Sequence, residues 1–162
     1  MAKLDNFLIQ LFHEGNCLEM YKVFGAHLEN DGVRFTVYAP HAKSVQVVGD
    51  FNHWDGTKHY MEKYTDGGIF TLFIDGIKQY DTYKYRIETP AGTFVDRADP
   101  YAFFSELRPY TASKVFNLDG FKWNDETWMK NRTKNFDRVL NIYEANIGSW
   151  KMKKDFTDEE DG

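Results

Sequence analysis

The chain of 162 residues holds a single cysteine, Cys17, and that scarcity excludes an internal disulfide. Its five histidines show no ligand spacing, so with one thiol no metal site is expected; no cofactor is called for. Cys17 reads as a small, buried or half-buried thiol of no chemical consequence. No apolar run approaches transmembrane length, and the first residues lack the basic start and apolar stretch of a secretory leader. The expected compartment is the cytoplasm, with no membrane partner. Lys and Arg gather on no one segment, and the formal net charge is -5. The electrostatic footprint of a nucleic-acid binder is missing, and a neutral ligand suits that balance. Internal repeats and low-complexity tracts are absent as well.

What the chain has in quantity is aromatic side chains, 17% of its residues, with 14 Phe and 10 Tyr. Such a load suits sheets that pack large side chains, so an all-β core is expected. Val33, Phe35 and Val37 alternate with Arg34, Thr36 and Tyr38, and Val45 and Val47 with Ser44 and Gln46. This pattern predicts two half-buried strands bounded by Pro40 and Gly49. Further strands are expected over Ile69 to Ile74, Thr82 to Glu88 and Thr93 to Asp96, separated by Gly67-Gly68, Asp75-Gly76 and Ala91-Gly92. Recurrence at roughly ten residues with tight turns predicts two antiparallel sheets packed as an immunoglobulin-like β-sandwich.

Ahead of it, Leu4, Phe7, Leu8, Leu11 and Phe12 fall at helical spacing, predicting one short helix that Gly15 ends. After Asp99-Pro100 the alternation stops, and Tyr101 to Asn117 reads as an irregular strap over the domain. Phe121 to Asp137, with Trp123 and Trp128, reads as a polar connector. The run Val139 to Ile147 is apolar enough for a buried strand, and the charged end beyond Trp150 reads as a solvated tail. The domains expected are a helical extension over 1–20, the sandwich over 21–117, and a linker with a further strand over 118–162.

Trp54 stands out because it lies on the turn after a strand, outside the alternation, among Asp50, Asn52, His53 and Asp55. A flat apolar face with a polar rim suits a pyranose ring. The plainer reading is an aromatic folded back to plug the sandwich edge. Asp50, Asp55, Asp96 and Asp99 read as residues that fix turns, not as an acid pair.

These features resemble a known family. Phe24-Gly25-Ala26-His27, Tyr38-Ala39-Pro40, the Gly49 to Gly56 loop, Asp99-Pro100-Tyr101-Ala102, Arg108 to Ser113, and Ile142-Tyr143-Glu144 with Gly148-Ser149-Trp150 occur in the order found in the amino-terminal part of glycogen branching enzymes. That part contains a carbohydrate-binding module of family 48. The resemblance implies an α-1,4-glucan partner (glycogen, maltooligosaccharides) and a second partner, the catalytic (β/α)8 barrel of the same parent chain. It makes Val139 to Ile147 the first strand of that barrel, incomplete here. Two departures are plain: Asn146 stands where the family's first barrel strand usually has a histidine, and Phe94 is the nearest aromatic to the place where kinase-type modules carry a second tryptophan.

Carried over residue by residue, the resemblance makes Trp54, Asn52, Lys84 and Phe94 the carbohydrate-binding residues. Lys84 would donate hydrogen bonds to sugar hydroxyls; the plainer reading is a solvated strand residue. Retaining chemistry of the family's kind needs two carboxyl groups about 5 to 5.5 Å apart, carried on later strands of a barrel of about 250 residues. No catalytic residue is therefore expected on this chain, and Glu144 reads as a barrel-strand residue without a chemical role. Arg108 with Tyr101, Phe103, Phe104 and Tyr110 forms either a glucan-tracking surface or the joint to the barrel, the joint being favoured because a strap must bury apolar area on both sides. Two rivals stay open: a non-catalytic glycogen-targeting module of kinase-subunit type, and a purely structural sandwich.

Overall fold

The computed structural model describes residues 6–133, 139 and 141–146. Among the described residues nine strands run in chain order: β1 (Gly25–Glu29), β2 (Gly32–Tyr38), β3 (Ser44–Gly49), β4 (Glu62–Thr65), β5 (Ile69–Asp75), β6 (Thr82–Glu88), β7 (Phe94–Arg97), β8 (Phe104–Ser105) and β9 (Ser113–Lys114). One antiparallel sheet has the order β1-β2-β5-β4, and the other β3-β6-β9-β8 with β7 also paired to β6. The expected all-β sandwich is the observed fold.

Alternation places the core as the sequence predicts. Val33, Phe35 and Val37 of β2 meet Val45 and Val47 of β3 and Tyr83 and Tyr85 of β6 in one buried cluster, joined by Phe70, Ile74 and Val115. Phe35 lies edge-on to Tyr83, ring centroids 5.0 Å apart. Each such side chain contributes about 1.5–3 kcal/mol by leaving water, which makes this the main source of stability.

The helix α1 (Asn6–His13) forms where expected. Gly15, at φ 74°, closes it: its N–H donates to the Phe12 carbonyl at 2.9 Å and Asn16 N–H to that of Leu11 at 2.8 Å, the double bond pattern of a left-handed helix stop. Its buried face differs from the predicted stripe. Ile9 is buried, with Leu8 and Phe12 packed beside it, while Phe7 is exposed; Leu4 lies outside the described residues. The helix is turned so that Ile9 meets Met20, Val23, Phe24 and Ile69, an apolar surface that the helical period alone does not reveal.

Several segments depart from expectation for short-range reasons. β1 and β4 were not foreseen, since Gly-Ala-His-Leu-Glu and Glu-Lys-Tyr-Thr offer no clear apolar alternation. The strap over 101–117 is not wholly irregular: it supplies β8 and β9, each of two residues, which extend the second sheet. Two residues cannot show a period. The chain divides into two units, Met1–Phe121 and Lys122–Gly162. In the second, the stretch read as connector holds a helix, α2 (Glu126–Asn131). Where the strand over Val139 to Ile147 is expected, the described residues, 139 and 141–146, carry no strand, and Val139, Ile142 and Tyr143 are exposed; Leu140 lies outside the described residues. A buried parallel strand needs neighbours on both edges, which composition alone does not supply. Ile147, Gly148-Ser149-Trp150 and the charged tail lie outside the described residues. Among the described residues no helix is long and apolar enough to cross a membrane.

Candidate functional site

The loop after β3 is held by close backbone approach. A Cβ at Gly49 would run into the Thr82 carbonyl oxygen and the Phe51 ring, and one at Gly56 into the side chain of Gln46. Glycine at both positions lets the loop lie flat on β3 and β6, covering Val48, which points outward yet is fully buried. Between them His53 and Trp54 both take left-handed conformations, φ 54° and 61°. Each costs a non-glycine residue about 1–2 kcal/mol. Hydrogen bonds offset this: Trp54 N–H donates to the Gly49 carbonyl and Asp55 N–H to that of Asn52, both at 2.9 Å.

Asn52 is the pin of the loop. Its Oδ1 accepts from Gly49 N–H at 2.9 Å, while its Nδ2 lies 2.9 Å from both the Val47 carbonyl and His59 Nδ1. Its amide is spent on the loop itself. Trp54 is half-buried, and its Nε1–H donates to Asp50 Oδ1 at 2.9 Å. The other oxygen of Asp50 accepts the Thr82 hydroxyl. Asp50 therefore ties the indole to β6 and fixes the ring's direction. Asp55 accepts from Thr57 N–H at 3.0 Å, which holds its carboxyl below the ordinary carboxylate range.

Antiparallel register defines the surface that this loop borders. Tyr83, Tyr85 and Ile87 pack inward, so Thr82, Lys84, Arg86 and Glu88 point out. Opposite them stand Val48, Gln46 and Ser44 on β3, and Asp96 and Phe94 on β7. Arg86 forms a two-pronged pair with Asp96, Nε and Nη2 at 2.8 and 2.9 Å, and its Nη1 donates to the Trp54 carbonyl at 3.1 Å. The pairing raises the Arg86 pKa and lowers that of Asp96. Lys84 donates from Nζ to the Thr111 hydroxyl at 2.8 Å, so it is held by the strap instead of standing free in solvent.

Gln46, Arg86 and Asp96 floor a shallow concavity of about 540 Å³, flanked by Tyr60, Phe94, Asp55 and Thr57. Tyr60 and Phe94 are 48% and 50% exposed. The structure thus brings Phe94 and the Trp54 loop to one face, uses Asn52 to set the loop, and places Lys84 along the same strand as Arg86. Sequence reading missed Gln46, Tyr60 and Arg86. Gln46 and Arg86 sit in the polar phase of their strands and were legible as outward; Tyr60 follows a turn without alternation and carried no signal.

Of the four aspartates read as turn residues, Asp55 and Asp99 each accept a backbone N–H two residues on, whereas Asp50 and Asp96 bond to side chains; Asp99 does more. It accepts Tyr101 N–H at 2.8 Å and the hydroxyls of Tyr83 and Tyr85 at 2.6 and 3.1 Å, and its own N–H donates to Ser113 Oγ at 2.9 Å. Burial pushes its carboxyl up and raises both tyrosines, which stay protonated donors. This group clamps the start of the strap to the inner side of β6. On the outer face, Asp96 is ion-paired, Asp50 is doubly bonded and Asp55 is bound to a turn. The surface offers half-exposed rings, amides and a neutralised ion pair, which suits a neutral polyhydroxylated ligand better than acid–base chemistry.

Residues 23–102 match the model of carbohydrate-binding module 48 (isoamylase N-terminal domain). The 1,4-alpha-glucan branching enzyme GlgB of Bacillus cereus (strain AH820) is 48% identical over 152 residues, 90% of this chain and 24% of the relative; that of Bacillus anthracis gives the same figures. The chain thus spans 24% of the length of these curated relatives. Among solved structures, the pullulanase from Bacillus acidopullulyticus aligns over 58% of this chain and 12% of its own, with 27% identity and a TM-score of 0.49.

Proposed function

We propose, from the membership of residues 23–102 in the carbohydrate-binding module 48 family, that the outer face of β3, β6 and β7 binds α-1,4-glucan. The observation that carries the reading is Trp54, whose indole is bonded to Asp50 and whose carbonyl is bonded to Arg86. Such a ring is preset to lie against a sugar face, and Lys84 is the donor for its hydroxyls. Phe94 and Tyr60 flank the neighbouring concavity, and Asn52 acts by holding the loop. Titration of the purified chain with maltoheptaose tests this. Trp54→Ala should weaken binding by about 1–3 kcal/mol, and unaltered affinity would reject the site.

The relatives named as branching enzymes match over 152 residues, whereas the module spans only 23–102. Similarity running past the module favours a branching-enzyme parent over a kinase-type targeting module. In that parent, an α-1,4 link is cut and the chain passed to a 6-hydroxyl. This chain's part is to hold or orient glucan for a catalytic barrel, in the cytoplasm. We assign it no catalytic residue, and incubation of the purified chain with amylose should yield no α-1,6 links. Exposed Leu107, Tyr110, Leu118 and Phe121 favour a joint to that barrel along the strap.

A further inference from the structure

We infer that Tyr80, Phe104 and Phe116 form a second glucan platform on the same face as Trp54, so that the module contacts a long chain at two places. The inference rests on the glucan-binding reading above and adds to it a preference for length.

The three rings form one cluster. Phe104 stacks on Phe116 at 5.3 Å with 21° between planes, and Tyr80 meets both at 6.0 and 5.7 Å. Tyr80 and Phe104 nonetheless stand open to solvent, 54% and 43% exposed. Tyr80 also takes φ 76°, a conformation that strains an aromatic residue. The turn around it enforces this. Tyr80 N–H donates to the Val115 carbonyl at 2.8 Å, Val115 N–H to that of Asp81 at 3.0 Å, and the Asp81 carboxylate accepts Lys78 N–H at 2.8 Å. A strained residue whose ring is left half in water is costly for stability alone, which points to use of the ring.

Register fixes the occupant. Thr82 faces Lys114, and Lys114 faces Phe104, so all three share the face that carries Lys84 and Arg86. Thr82 is the residue bonded to Asp50, which holds the Trp54 indole. Phe104 thus lies two strands from Thr82, about 10 Å at ordinary strand spacing. Between the two platforms stands Lys114, a donor suited to sugar hydroxyls. One surface runs from Trp54 through Asp50, Thr82 and Lys114 to Phe104, with rings at both ends and hydrogen-bond acceptors and donors between. A linear α-glucan fits that order of chemistry. A short oligosaccharide seated on Trp54 covers fewer of these groups than a long chain does.

The test titrates the full chain with maltotriose and with a long linear maltodextrin. Phe104→Ala and Tyr80→Gly should leave maltotriose affinity at the wild-type level and weaken maltodextrin about 5- to 10-fold, the loss of one stacked sugar, while Trp54→Ala should weaken both. Glycine accepts the left-handed backbone at position 80, which offsets part of the lost ring packing, so that variant should stay folded at the titration temperature, and a melting curve separates lost contact from lost fold. If both platform variants bind both ligands as wild type does while Trp54→Ala weakens them, the second platform is refuted and the glucan reading stands. Loss of self-association in Phe104→Ala without any change in glucan affinity would assign the patch to protein contact and refute it equally. If Trp54→Ala itself has no effect on either ligand, the glucan reading fails.

Discussion

The two sheets present outer faces that the chain treats in opposite ways. On the β1-β2-β5-β4 sheet, Ile9, Met20, Val23 and Phe24 cover Ile69, Phe12 lies edge-on to Tyr38 at 5.0 Å, and the hydroxyls of Thr36 and Thr71 are buried 3.4 Å apart. On the β3-β6-β7 face, the loop over 49–56 covers Val48 and Thr111 bonds Lys84, but among described residues 6–121 no α-helix is laid down. Both faces carry a two-pronged arginine–carboxylate pair, Arg34 with Glu29 at 2.8 and 3.0 Å and Arg86 with Asp96 at 2.8 and 2.9 Å. The difference is where the arginine goes next. Arg34 lies over the Phe73 ring, 5.6 Å from its centroid, whereas Arg86 reaches the Trp54 carbonyl. The first pair strengthens a sheet that its own chain partly closes; the second braces a loop at the border of an open surface.

Breaking the covered face should cost the most. Phe24 is fully buried there, so Phe24→Ala should lower unfolding free energy by about 3–5 kcal/mol in urea titration. Its maltoheptaose affinity, measured where the variant is still folded, should match wild type. Trp54→Ala is the mirror image, with weaker glucan binding as above and a small shift in the urea midpoint. A stability loss at Trp54 as large as that at Phe24 would mean that the two faces do the same job.

How much of this contrast the sequence shows depends on range. The alternation of Val33, Phe35 and Val37 against Arg34 and Thr36 settles which side of β2 meets the core, because a period of two is local. The position of Trp54 outside any alternation marks the loop for the same reason. That Thr36, in the polar phase, is buried could not be read, since its cover comes from elements distant in sequence. Lys84 had the correct face but not its partner, Thr111, 27 residues on. The run over 139–147 teaches a different point, since its described residues are exposed: apolar composition says that a segment prefers burial, not that a burying partner is at hand.

The inner side of β6 offers a medium-sized test through pH. Burial raises the folded-state pKa of Asp99 above its unfolded value, so its contribution is fully present below the ordinary carboxylate value of about 3.9. It is lost as pH rises through the raised folded value. Asp99→Asn removes that titration. The stability difference between wild type and Asp99→Asn should therefore move in favour of wild type as pH falls from neutrality toward about 4. A difference that stays constant would show that the tyrosine hydroxyls and the Tyr101 N–H fully offset the cost of burying the charge.

The smallest effect belongs to the open face and has the opposite sign. Arg86 lowers the folded-state pKa of Asp96, so the pair's contribution is present above the unfolded pKa and disappears as pH falls through the depressed folded value. Their side chains are 28% and 35% exposed, and water screens a pair so placed to about 0.2–1 kcal/mol. Asp96→Asn should thus lower stability only slightly at neutral pH, and the gap should close in acid. Its sharper effect should be on binding, because Arg86 loses the partner that aims it at the Trp54 carbonyl. Maltoheptaose affinity should fall about 2- to 5-fold, the equivalent of a screened contact of this size. A variant with wild-type affinity would show that the Gly49 and Asn52 bonds alone hold the loop, and that the two arginine pairs differ in position but not in use.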